Sequence, residues 1–468
     1  MAQNFLPCDR DQEFLLPPSP REWLPEDHLA WFVIDAVAAL DLRAFYADYR
    51  SDGHGRAAHD PQMMVALVLY AYATGIRSAR AIERHLIEDV AFRVIAAGQC
   101  PDHATIARFR ARHRDALAGL FTAVLTLCAK AGLVRSGTLA LDSTKLHANA
   151  SGQANITYEQ LAQAILDEAA EIDAREDELY GERRGDELPE HLSTSRKRRE
   201  WLEQATRELR EQQSQRPTPT SRPERLQEAK RRLEEQHALE RHAIETYETS
   251  RAEREAELAA QGRPMRGRPR SKPLVVPAQP AGRVNLTDPD SRPVKTARGF
   301  IQGYSAQAAA TEDQIVVCAD VTIGSPDQGR LTPMAAQALA ELEAAGAERP
   351  DRLLADAGYW NAHQIGELRR ASIDVVVAPD SQARRGPPLK RHALAVEMRA
   401  RLETGEGRAL YGKRQRIIEP IFGQTKSNRR ADRFLCRGLA ACRSEWRLIM
   451  ATHNLLKLWR HGLAPAAA

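Results

Sequence analysis

Three carboxylates stand out by their surroundings. In TLALDSTKLHANAS, the apolar run Thr138, Leu139, Ala140 and Leu141 stops at Asp142, with Ser143, Thr144 and Lys145 behind it. In DRLLADAGYWN, the run through Ala355 stops at Asp356 in the same manner. Glu419 lies in KRQRIIEPIFGQTKSNRRADRF, with Arg414, Arg416, Lys426, Arg429 and Arg430 around it. A brief apolar run bounded by polar residues fits a buried strand, and periodicity alone leaves a buried helix open. Read as strands, the two runs deliver Asp142 and Asp356 at their ends, while Glu419 comes from a helix. Three acids so placed can hold two divalent ions ~3.5–4 Å apart, activate water or a 3′-hydroxyl, and stabilise the leaving oxygen at a phosphodiester. Hard Mg²⁺ or Mn²⁺ takes oxygen ligands and keeps some waters, so no His or Cys cluster is needed. Each acid also has a plain reading, Asp142 as a turn or cap residue and Glu419 as one half of a surface ion pair.

The elements that must position these acids follow from the rest of the chain. At 468 residues, with 43% hydrophobic and 28% charged, the length predicts two to four domains of a soluble protein. The formal net charge of +4 does not by itself announce a nucleic-acid binder; acidic residues crowd the middle and basic ones the C-terminal end. The six cysteines are scattered without a CxxC pair, which reads as reduced thiols. The N-terminal MAQNFLPCDRDQEF lacks a signal-peptide pattern and no apolar run approaches ~20 residues, so a cytoplasmic location is expected.

Residues 1–135 read as all helical. Asp60-Pro61 predicts a helix start, and Asp102 or Thr105 can cap a helix whose Ile106 and Phe109 face inward while Arg108, Arg110, Arg112 and Arg114 face out. That basic face fits either docking on DNA or simple solvation. Residues 136–154 carry the first strand. Residues 155–284 form a charged insertion, expected as a helical hairpin broken near Pro217, Pro219 and Pro223. Leu226, Leu233, Leu239 and Ile244 outline a seam too irregular for a long coiled coil. The insertion ends in a basic linker whose Arg266-Gly267-Arg268 stretch matches an arginine pair for a narrow A·T minor groove. From 285 to 460 strands and helices mix. GFIQGYSAQAAAT and QIVVCADVTI read as adjacent strands joined at Glu312-Asp313-Gln314, and Ile373 to Ala378 as another. His453-Asn454 reads as capping or packing a closing helix.

The stretches LALDSTKLHAN, GFIQGYSAQ, LLADAGYWN and IIEPIFGQTKSNRRADRFLCRGL together resemble the bacterial insertion-sequence DDE transposases. DPQMMVALVLYAYATGIRSARAIERHL and PDHATIARFRARH resemble the helical domain that precedes the core in one branch of them. The resemblance covers most of the chain, apart from the charged insertion. It implies an α/β, RNase H-like mixed sheet flanked by helices, preceded by an all-α domain and interrupted by a helical insertion. It also implies that Asp142, Asp356 and Glu419 are the catalytic, metal-binding triad of an enzyme using two Mg²⁺ or Mn²⁺ ions.

Many relatives carry a Tyr, Arg, Glu, Lys signature with two, three and six residues between its members. Glu419 and Lys426 keep the last spacing, which makes Lys426 the expected phosphate contact. The front half departs, because Gln415 stands where the Arg belongs, between Arg414 and Arg416, and Tyr411 is one position early. Arg416, Arg429, Arg430, Arg433, Arg108, Arg110, Arg266 and Arg268 complete the expected DNA contacts, with Arg437 and Arg443 on the same basic tail. Partners are then the element's inverted repeats, target DNA and a second copy in the synaptic complex, at the nucleoid. The rival functions are a metal-dependent nuclease that cuts without joining, a silent DNA-binding derivative, and a scaffold built on the helical insertion.

Overall fold

The computed structural model describes residues 19–49, 57–135, 137–180, 221–262, 277, 279–296, 298–324, 327–380 and 392–462. Arg266 and Arg268, and with them the minor-groove expectation, lie outside the described residues, as do Pro217 and Pro219. The chain divides into two compact units, Met1–Ala148 with Val294–Ala468, and Asn149–Pro293.

The first unit opens with helices α1 (Leu29–Ala38), α2 (Arg43–Tyr46), α3 (Pro61–Ala73), α4 (Ala79–Glu88), α5 (Val90–Ile95), α6 (His103–Arg112) and α7 (Arg114–Lys130). Asp60 caps α3 by accepting from the Gln62 N–H, and Pro61 occupies the first turn, where its missing N–H costs nothing. Met64 through Ala73 are all buried, so α3 is apolar all round and belongs in the middle of a core. It ends on Gly75 at φ +84°, with the Ile76 N–H returning to the Ala71 carbonyl. A β-carbon at Gly75 would lie 3.1 Å from the Arg429 backbone, so glycine also permits a close approach there.

The sheet begins with β1 (Thr138–His147). Within the second unit, a short strand β2 (Asn155–Thr157) leads into α8 (Tyr158–Tyr180), and α9 (Arg222–Ala260) leads to β3 (Arg283–Asn285), which pairs with β2. Ser221 and Glu224 close a capping box at the start of α9, with Pro223 inside its first turn. Leu161, Leu226, Ala229, Leu233 and Val284 make a small apolar core. The expected leucine seam stops there. Leu239 is exposed, and α9 is instead stitched by pairs such as Arg231 with Glu228 and Glu235.

The chain continues in β4 (Arg292–Thr296), and the first unit resumes at Val294 within it, followed by β5 (Gly299–Thr311), β6 (Val316–Thr322), α10 (Leu331–Ala344), β7 (Arg352–Ala355), α11 (Ala362–Arg370), β8 (Asp374–Val377), α12 (Ala393–Glu403), α13 (Gly405–Gly423) and α14 (Leu439–Arg460). Strands β4-β5-β1-β7-β8 form one mixed sheet, with β6 also paired to β5. β1 is central. It runs antiparallel to β5 and parallel to β7, and β7 runs parallel to β8. β1 does not end at Asp142, where its apolar run stops. β5 pairs with it from Leu139 to His147, and that ladder keeps Ser143, Thr144 and Lys145 extended.

The long α14 is the closing helix of this unit and packs on α7, α3 and β6. Its Trp446 is fully buried and donates from Nε1 to the Gln307 carbonyl, 2.8 Å away. Asn454 donates to the Val316 carbonyl and accepts from the Val316 N–H, both at 2.8 Å, as a strand partner would. His453 packs beside it on the Gln314 carbonyl. Among the described residues no helix is long and apolar enough to cross a membrane.

Candidate active site

The pairing of β1 with β7 ends at Leu141 opposite Ala355. Asp142 and Asp356 are the next residues on their strands, so the register sets two carboxylates side by side at the mouth of the sheet. The Ser143 N–H donates to Asp142 Oδ1 at 2.7 Å, and Arg414 donates from Nη1 to Asp142 Oδ2 at 2.5 Å. Burial raises the Asp142 carboxyl to about 6; Arg414 opposes this, and the neighbouring Asp356 and Asp327 carboxylates add to it. Asp356 caps the 3-10 turn Ala357–Tyr359, accepting from the Gly358 N–H at 2.9 Å.

A third acid stands close by, and sequence reasoning missed it. Asp327 accepts from the Ser143 hydroxyl at 2.9 Å and from the Gln307 amide at 3.2 Å, and Lys145 Nζ lies 3.7 Å from it. Lys145 also donates to Ser143 Oγ at 3.2 Å and Ser305 Oγ at 2.7 Å. Burial raises the Asp327 carboxyl, Lys145 and the Ser143 hydroxyl work against that, and Asp356 adds to it. The Tyr359 hydroxyl is fully buried and makes no hydrogen bond of normal geometry. Burial, followed by Asp327, Asp142 and Asp356, drives its ionisation well above the usual tyrosine range. In sequence, Asp327 is an Asp in GSPDQGR, which reads as turn chemistry and nothing more.

Helix α13 packs on β1, β5 and β7 and supplies the cation. Arg414 is buried, and its guanidinium carbon stands 5.7 Å from the ring centroid of Tyr411. The arginine that meets Asp142 is therefore Arg414, three residues after Tyr411; Arg416 is exposed. Pro420 lies inside α13 and has no N–H, so the Arg416 carbonyl loses its helical donor. The Gln314 side-chain amide donates to that carbonyl instead, at 3.0 Å. Glu419 is exposed, five residues beyond Arg414 and so about 7.5 Å further along the helix. The sheet brings Asp142 and Asp356 together, and Glu419 stays outside that contact.

After α13 the chain makes a π turn over Gln424–Asn428. Lys426, expected to face phosphate, is half-buried within it and donates to the Lys145 carbonyl of β1 at 2.9 Å. Burial lowers its ammonium. Arg429 is a correction. It is buried, and it donates to the Ile449 carbonyl, Thr452 Oγ1 and Thr425 Oγ1, so it ties the π turn to α14 and is not on a DNA-facing surface. Burial lowers its guanidinium to about 10, helped by nearby Arg77. Arg110 is half-buried and donates from Nη1 to the Arg77 carbonyl and the Tyr72 hydroxyl. Arg108, Arg430, Arg433, Arg437 and Arg443 are exposed. Arg433 donates to the Ala148 carbonyl, and Arg443 pairs with Asp320. The exposed segment is held from below. Arg77, paired with buried Glu445, donates to the Arg430 and Arg433 carbonyls, and Glu445 accepts from the Leu435 and Cys436 N–H groups.

Among the described residues no three Asp, Glu, His or Cys side chains converge as a finished ion site. Two hard carboxylates side by side do suit Mg²⁺, which binds through one or two carboxylates and keeps several waters. The donor set therefore fits such an ion through Asp142 and Asp356.

Two family models match the chain. Residues 18–112 match a transposase domain (DUF772), which spans α1 to α6. Residues 382–459 match a transposase DDE domain, which includes α13, the π turn and nearly all of α14. Segments toward both ends of the chain are thus similar to transposase domains. Together they support an insertion-sequence DDE transposase. No curated protein and no solved structure matches the chain.

Proposed function

We propose that this chain is the DNA transposase of an insertion sequence. It binds the terminal inverted repeats, hydrolyses a strand to free a 3′-hydroxyl, and directs that hydroxyl at target DNA. The supporting observation is the register that sets Asp142 beside Asp356, with Arg414 reaching Asp142 from a helix that matches a transposase DDE domain. In this reading the mixed sheet and its flanking helices are an RNase H-like core. Asp142 and Asp356 would hold Mg²⁺ or Mn²⁺, two ions in all, with Glu419, exposed on α13, as the third acid. When bound, such ions neutralise charge at the phosphodiester and activate the attacking oxygen.

The chain's own groups do the rest. The Ser143 N–H orients Asp142, and the Gly358 N–H orients Asp356. Arg414 supplies positive charge where phosphate oxygens arrive, and Lys426 holds β1 in place beneath them. Arg430, Arg433, Arg437 and Arg443 track the DNA backbone, joined by Arg108 of α6, so binding weakens steeply with salt. Arg266 and Arg268 take the minor groove, two ends are brought together by two copies of the chain, and the protein works at the nucleoid.

Cleavage of DNA carrying the element's ends in Mg²⁺ tests this, comparing the wild type with Asp142→Asn, Asp356→Asn and Glu419→Gln. The wild type is expected to cut and join a labelled end, and each variant to bind ends without cutting. Cutting without joining favours a nuclease. Cutting by all three variants overturns the site.

A further inference from the structure

Asp327 has no part in the triad, yet its contacts lead to the acid pair. Alternation along β1 sends Asp142 to one face of the sheet and Ser143 and Lys145 to the other. On that second face the Ser143 hydroxyl donates to Asp327 Oδ2 at 2.9 Å, while the N–H of the same residue donates to Asp142 Oδ1 at 2.7 Å. Ser143 is thus pinned at its side chain by one acid and pins the other through its backbone. The Gln307 amide, on the strand position paired with Ser143, holds the second oxygen of Asp327.

Two further features tie Asp327 to the same space. A β-carbon at Gly358 would lie 3.0 Å from Asp356 Oδ1 and 3.6 Å from Asp327 Oδ2, so both carboxylates border the gap that glycine leaves. The buried hydroxyl of Tyr359, without a hydrogen bond of normal geometry, stands among the acids.

We propose that Asp327 is a positioning residue for divalent-cation binding at Asp142 and Asp356, acting through Ser143 to hold Asp142 Oδ1 in a fixed orientation. The inference rests on the reading of Asp142 and Asp356 as the ion-binding pair. Groups that orient a metal-binding carboxylate typically matter by ~10–100-fold in affinity.

The test is Mn²⁺ binding to the full chain, read by the loss of free-ion paramagnetic resonance signal, alongside the melting temperature without metal. Asp327→Ala and Ser143→Ala are each expected to weaken Mn²⁺ binding by about tenfold or more at temperatures where both remain folded. Asp327→Asn keeps an oxygen that can accept from Ser143, and is expected to return affinity to within about threefold of wild type. Rescue by Asn at equal melting temperature separates positioning from a purely structural role. Wild-type affinity in both alanine variants, with Asp142→Asn unable to bind, would overturn the inference and leave the ion pair standing. Equal Mn²⁺ binding in the wild type and Asp142→Asn would overturn both.

Discussion

Arg414 of α13 grips Asp142 of β1 across 272 residues of sequence, and both side chains are mostly withdrawn from water. A half-buried carboxylate beside two other acids needs a counter-charge, and here the chain supplies its own. The contact joins the strand that carries one acid to the helix that carries Glu419.

Arg414→Ala removes that counter-charge and leaves Asp142 facing Asp356. We expect a loss of about 2–4 kcal/mol in unfolding free energy without metal. Adding Asp142→Asn to the same chain should recover much of it, because the uncompensated carboxylate is gone. Denaturant melts of the four members of that cycle give the coupling; additive losses would mean the two groups do not depend on each other.

Gln314 stands in for the backbone donor that Pro420 lacks. Gln314→Ala frees the Arg416 carbonyl and also removes the acceptor of Lys457, 2.8 Å away. A loss of about 0.5–1.5 kcal/mol is expected. Pro420→Ala restores an N–H aimed at that carbonyl, so in the Gln314→Ala background it should be stabilising. If Pro420→Ala gives the same change with and without Gln314, the two residues do not share the carbonyl.

His453 is fully enclosed, and burial pushes its imidazole down to about 3, with Arg429 adding to the effect. The unfolded chain takes up a proton near pH 6.5 while the folded chain refuses it until about pH 3. The residue therefore withdraws stability as pH falls from about 6.5, at up to about 1.4 kcal/mol per pH unit. His453→Gln keeps a donor for the Gln314 carbonyl and should lack this component. Urea melts from pH 7 to 4.5 would show the wild type losing stability faster; parallel curves would refute the assignment.

Glu445 is buried against Arg77 and receives two backbone N–H groups from the segment that bears Arg430, Arg433 and Arg437. Glu445→Ala leaves a buried guanidinium unpaired and should cost about 3–5 kcal/mol. Hydrogen exchange at the Leu435 and Cys436 amides should accelerate, and affinity for DNA ends should fall with it. Unchanged protection at those amides would mean the segment is held by other contacts.

The caps at Asp60 and Asp102 and the apolar strand runs before Asp142 and Asp356 were legible because they rest on interactions within a few residues. Local spacing also told that α13 would bring acids and bases to one region. It could not tell which arginine would matter. Arg414, Gln415 and Arg416 differ by 100° steps of helical phase, and only packing of α13 on β1, β5 and β7 turns Arg414 inward and leaves Glu419 and Arg416 in solvent. Arg429 looked like one more surface base, yet the π turn buries it, because its hydrogen-bond partners on α14 come together only in the folded chain. Asp327 carried no signal beyond a turn, since its meaning lies in Ser143 and Gln307, which reach it from two different strands. The sequence by itself determined the element types and the candidate acids. Tertiary structure decided which of them meet, because strand register and helix phase are set by burial between segments hundreds of residues apart.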